Sequence, residues 1–145
     1  MIRLMMVGFI LLGACAAMNR SDTQDIALIE ARIDSIEDIQ GNEEIDLSMW
    51  VKLKLVEVKS LIGDVGANRI EVELKIGGQP NLDKINGIYV LGKKQPDGTF
   101  QVLDWDYAFR GLCVDHDLAR TYQLEDAIQK LKREGKVKWN PACNW

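Results

Sequence analysis

The sequence predicts a mainly β domain that ends in a single helix, and three observations carry that expectation. Residues 69–76 alternate, with Ile70, Val72, Leu74 and Ile76 on one side and Arg69, Glu71, Glu73 and Lys75 on the other. A period of two is a strand with one buried face. Gln95-Pro96-Asp97-Gly98 separates two runs rich in β-branched and aromatic residues. Proline then Asp-Gly makes a hairpin turn, because the ring fixes φ and the glycine is free to take φ above zero. Over residues 122–134, Leu124, Ala127, Ile128 and Leu131 share one stripe of helical period, with Thr121 as the cap and Gly135 as the stop.

In chain order, the N-terminus reads Met1-Ile2-Arg3, an apolar stretch over 4–12, then Gly13-Ala14-Cys15-Ala16-Ala17. A basic end, an apolar centre and small residues at a cut site make a secretory signal, so residues 1–14 are read as a signal peptide. The apolar stretch is about half of the ~20 residues a helix needs to cross a bilayer. Residues 24–40 read two ways. Ile26, Ile29, Ile33 and Ile36 have helical spacing, whereas Ala27, Ile29, Ala31 and Ile33 alternate as in a strand.

Met49, Val51, Leu53 and Leu55 also alternate, and the apolar phase then moves to Val56 and Val58. Such a slip inside a long strand predicts a β-bulge or bend. Pairing this strand with residues 69–76 sets Lys52 and Lys54 across from Glu71 and Glu73. Residues 88–91 and 100–105 are the arms of the hairpin. Trp105, Tyr107 and Phe109 then alternate onto one face, with Asp104 and Asp106 opposite. Core packing is the default for such a row; stacking on a sugar or a base is the functional alternative, which makes these three the candidate ligand-binding residues. Trp139 and Trp145, close to Cys143, are expected to latch the C-terminus onto the sheet.

Leu12-Gly13-Ala14-Cys15 resembles the lipobox of bacterial lipoproteins. The resemblance implies a diacylglycerol on the Cys15 thiol, cleavage before Cys15 and acylation of the new amine, with residues 15–23 as a lipidated tether. The other reading is an ordinary signal, cut after the A-x-A-like Ala14-Cys15-Ala16, which releases a soluble periplasmic protein. Two or three acyl chains, at roughly 0.8 kcal/mol per buried methylene, hold a protein on a bilayer permanently. In such lipoproteins an aspartate after the cysteine favours the inner membrane; Ala16 stands there instead, which points to the outer membrane and its periplasmic face. A tether over residues 16–23 reaches roughly 25 Å.

Eighteen basic and 22 acidic side chains give a net charge of −4. Removing residues 1–14 takes only Arg3, which leaves 17 against 22, or −5. The sequence is read as lacking the lysine and arginine cluster on which nucleic-acid binding depends, and as lacking a polybasic segment for anionic lipid. The length beyond the signal suits one domain, residues 24–145. With Cys15 lipidated, Cys113 and Cys143 form an even pair in an oxidising compartment, and a disulfide is expected.

The segments "ALIEARIDSIED", "WVKLKLVEVKSLIGDVGANRIEVELKI" and "GIYVLGKKQPDGTFQVLDW", with the helix ending near "PACNW", resemble netrin-like modules and the inhibitory domain of tissue inhibitors of metalloproteinases. That resemblance implies a five-stranded OB-like barrel, and it turns residues 26–39 toward a first strand. It does not carry the inhibitory activity. Those inhibitors chelate zinc through a free N-terminal cysteine amine within C-x-C, and here Cys15 is followed by Ala16-Ala17; an acylated amine has no lone pair for a metal.

The one histidine stands in Val114-Asp115-His116-Asp117, expected to be a surface loop and not a metal site, because no second histidine completes a ligand set. A Cys113 and His116 dyad needs a free thiolate, which the disulfide removes. No phosphate loop, nucleophile elbow or H-E-x-x-H pattern occurs. The expectation is a protein that is no enzyme, holds no cofactor and no metal, binds no nucleic acid, and meets the membrane through its lipid and an envelope protein through its body.

Overall fold

The computed structural model describes residues 25–39, 48–77 and 85–143. The expected signal peptide, Cys15, the tether and Trp145 lie outside these residues. Among the described residues, five strands, β1 (Ile26–Asp38), β2 (Ser48–Ile62), β3 (Arg69–Gly77), β4 (Gly87–Lys94) and β5 (Phe100–Tyr107), form one antiparallel sheet in the order β3-β2-β1-β4-β5. Two short helices follow, α1 (His116–Thr121) and α2 (Glu125–Arg133). The sheet curls into a half-barrel whose edges, β3 and β5, approach one another without a ladder between them. The barrel is therefore open along that seam.

Residues 26–38 are strand. β1 pairs with β4 from Ile26 to Arg32 and with β2 from Leu28 to Asp38. Its first four side chains, Ile26 to Ile29, are at most 2% exposed. Alternate residues enter different cores. Ala27, Ile29, Ala31 and Ile33 pack on the inner face with Val51, Leu53, Val72, Leu74, Ile88 and Val90. Ile26 and Leu28 pack on the outer face with Tyr89, Leu91, Leu112, Ile128 and Leu131. Fully burying one such aliphatic side chain contributes roughly 1.5–3 kcal/mol.

The phase slip in β2 is a bulge. The register passes from Arg32↔Val56 to Glu30↔Lys59, and Glu57 between them has φ 55°. Arg32 Nε donates to Glu57 Oε1 at 2.9 Å across the bulge. The hairpin forms as the turn residues dictate: Gly98 takes φ 86° and its N–H donates to the Gln95 carbonyl at 2.9 Å. The Asp97 carboxylate accepts from Thr99 N at 2.9 Å and Thr99 Oγ1 at 2.6 Å, which holds it below its ordinary range.

The helix expected over residues 122–134 forms over Glu125–Arg133, and the expectation of a single C-terminal helix is corrected by a second, α1, that precedes it. Asp115 begins α1: its carboxylate accepts from Asp117 N at 2.9 Å and Leu118 N at 3.0 Å. The expected loop at 114–117 is thus the start of a helix, with His116 exposed in its first turn. Thr121 caps nothing, because it is the last residue of α1. Gln123, at φ 55°, reverses the chain, Leu124 N donates back to the Ala119 carbonyl at 2.8 Å, and α2 starts with no side-chain cap. The break lets Ala119 in one piece and Ile128 and Leu131 in the other bury in the same outer core.

Candidate functional site

The C-terminal segment is clasped twice. Cys113 and Cys143 form a disulfide, with Cα atoms 5.5 Å apart across a sequence separation of 30. One residue earlier, Leu112 N donates to the Lys138 carbonyl at 2.8 Å and Asn140 N to the Leu112 carbonyl at 3.1 Å. Trp139 packs against the outer core, as expected of a latch. Of the three cysteines, Cys15 alone stands outside this bond. Among the described residues no group of three or more His, Cys, Asp or Glu side chains is placed to hold a metal, and no helix is long and apolar enough to cross a membrane.

The candidate aromatic row is split by its environment. Trp105 and Tyr107 are half-buried against the inner core, with centroids 5.1 Å apart edge to face. Phe109 lies past the end of β5 and is 53% exposed, so it is not a member of the strand face. Its ring stacks on Tyr107 at 5.8 Å and 19°. The Arg110 guanidinium lies 5.7 Å from the Phe109 centroid and 6.0 Å from that of Tyr107. Burial pushes the Tyr107 phenol up.

Asp104 and Asp106, on the other side, serve the backbone. Asp104 accepts from Trp105 N at 2.8 Å and from Asp115 N at 3.0 Å, joining β5 to the cap of α1. Burial nevertheless pushes its carboxyl up, because the desolvation cost of the charge outweighs these two bonds. Asp106 accepts from Tyr107 N at 2.7 Å.

A cleft of about 530 Å³ lies at the β3–β5 seam, lined by Trp50, Lys52, Glu71, Glu73, Gln101 and Val102 among others. The ladder places Lys52 across from Glu73 and Lys54 across from Glu71, as the sequence predicts. Lys52 Nζ lies 3.8 Å from Glu73, whereas Lys54 turns to the other neighbour and meets Glu37 at 2.6 Å. Trp50, 45% exposed, supplies the aromatic surface at this cleft.

The expectation of no cationic cluster is corrected. Lys130, Lys132, Arg133, Lys136 and Lys138 fall within nine residues that contain one acid, Glu134. Lys130, Arg133, Lys136 and Lys138 are exposed and Lys132 is half-buried, its Nζ 4.8 Å from the centroid of the Trp139 ring. Glu134 lies 2.7 Å from Lys136 and 3.9 Å from Lys130, and the Lys136 bond holds its carboxyl below its ordinary range. Lys138 Nζ donates to the Phe109 carbonyl at 2.5 Å, which joins the cationic segment to the exposed ring. The total charge hides this cluster; a count over a nine-residue window finds it.

No protein-family model matches the chain, and neither the curated proteins nor the solved structures hold one significantly similar to it.

Proposed function

We propose that the chain is a lipid-anchored lipoprotein of the periplasmic face of the outer membrane, whose β body is a non-catalytic module that binds an envelope protein. The observation that carries this reading is the cysteine pairing. Cys113 and Cys143 satisfy one another, and the sulfur left over is the one that ends Leu12-Gly13-Ala14-Cys15. A disulfide also belongs in the oxidising compartment to which a lipobox delivers a protein. For the body, an OB-like barrel is the finer reading. It is supported by the strand order, which brings the two edges β3 and β5 face to face across a seam, in keeping with the partly open barrels of that class.

The anchor is tested by metabolic labelling with a radioactive fatty acid. The wild-type chain takes the label and Cys15→Ser does not; a label that persists on Cys15→Ser overturns the reading. Crosslinking in cells from a photoreactive residue at position 50, in the seam cleft, then captures the partner. A second reading, a soluble periplasmic protein that binds a saccharide, is favoured by the exposed Phe109 stacked on Tyr107. An absent label together with binding to a glycan array that Phe109→Ala abolishes selects it.

A further inference from the structure

Charge is distributed unevenly along the chain. Residues 130–138 carry five basic side chains and one acid, a local balance of +4, while the rest carries 13 basic against 21 acidic, or −8. Part of this concentration serves the helix, since Lys130, Lys132 and Arg133 lie in the last turn of α2, where cations offset the helix dipole. Lys136 and Lys138 lie beyond the helix, where its dipole does not act; Lys136 is exposed and paired with Glu134 at 2.7 Å, and exposed Lys138 donates to a neutral carbonyl, so the segment keeps its excess of positive charge. Beside them stands Phe109, 53% exposed, its carbonyl bonded to Lys138 and its ring 5.7 Å from the Arg110 guanidinium.

An apolar ring set among cations is the composition of a surface that lies on the phosphate layer of a bilayer: the ring enters the acyl boundary while ammonium and guanidinium groups meet phosphate. We infer that Phe109, Arg110, Lys132, Lys136 and Lys138 form a docking surface for the anionic phospholipid headgroups of the membrane that carries the anchor. The inference rests on the anchored reading for its occupant. On that reading, a tether of roughly 25 Å keeps the body beside the leaflet whichever way it turns. Charges act over a screening length of about 8–10 Å. The acidic remainder is repelled by such a surface and the cationic segment is drawn to it, so the body takes one orientation.

The test is cosedimentation of the processed chain, residues 15–145, carrying Cys15→Ser, which has neither the apolar signal nor a lipid on residue 15 whatever the labelling experiment returns. The vesicles are phosphatidylcholine with and without phosphatidylglycerol. Binding is expected to be tighter on the anionic vesicles and to fall with added salt. At about five-fold per cation, adding Lys132→Glu, Lys136→Glu and Lys138→Glu together weakens it at least about 100-fold. A charge-matched variant on the sheet, Lys59→Glu with Arg69→Glu and Lys75→Glu, keeps the binding. The inference is overturned if the 132/136/138 variant binds like its parent, if the charge-matched variant loses as much, or if a single-stranded oligonucleotide binds more tightly than the anionic vesicles. Vesicle binding without a fatty-acid label on the wild-type chain upholds the surface and removes the anchor. A label without vesicle binding does the reverse.

Discussion

Leu112 exchanges both of its backbone groups with the strand of chain around Trp139, the residue with which it forms an isolated parallel bridge. The disulfide at Cys113 and Cys143 lies one residue beyond that bridge on one side and four on the other. Between the two clasps run both helices, so the loop they close is the lid over the outer core.

Loss of the sulfur clasp frees that lid. Cys113→Ser or Cys143→Ser is expected to lower the stability of the fold by roughly 2–5 kcal/mol, read from urea denaturation. Intact wild-type protein is expected to show no alkylatable thiol at either position.

Gly111 sets the approach of the two clasped segments. It has φ 91°, and a Cβ there comes within 2.7 Å of Asn140 N and the Trp139 carbonyl carbon. Gly111→Ala therefore strains the backbone and pushes the bridge apart, at a cost of about 1–3 kcal/mol. The denaturation midpoint falls with the disulfide still formed.

Asp115 supplies the side-chain cap of α1 and donates its own N–H to Asp104. Asp115→Ala leaves the N–H groups of Asp117 and Leu118 without their carboxylate and is expected to cost about 0.5–2 kcal/mol. Asp115→Asn, which keeps an acceptor oxygen, recovers most of the loss, both variants being read by thermal melting against the wild type.

Burial pushes the Asp104 carboxyl above the ordinary aspartate value. A folded state that holds the proton more tightly than the unfolded one is favoured by acid, so this group contributes stability fully present below the unfolded value and lost as pH rises through the folded one. Asp104→Asn removes that contribution, and the slope of stability against pH above about 4 becomes more positive than in the wild type. Carbon-detected NMR titration of the wild-type carboxyl gives a midpoint above the ordinary aspartate value; a midpoint at or below it refutes the assignment.

What the sequence makes legible follows from how each element is buried. Residues 69–76 read plainly as a strand because one face is buried and the other carries Arg69, Glu71, Glu73 and Lys75 to solvent. The first strand did not read plainly, because Ile26, Ala27, Leu28 and Ile29 are buried on both faces and lose the alternation. The bulge was visible as a phase change, although Glu57, which takes its positive φ, carries no glycine signal. The helix break was hidden for the same reason: Gln123 adopts a left-handed conformation that its residue type does not announce. In the aromatic row the period of two was right as far as Tyr107 and failed at Phe109, where the strand ends. The cationic segment was obscured by a negative total, since 21 acids elsewhere outweigh it.

Because alternate side chains of β1 enter the two hydrophobic clusters, neither cluster is complete without that strand. The halves of the molecule are thereby wired to a common rod, and a local injury is felt throughout. A proline at position 29, where β1 pairs with both neighbours, collapses the sheet and the helical layer together, and the intact chain melts as one cooperative unit with no half surviving the other.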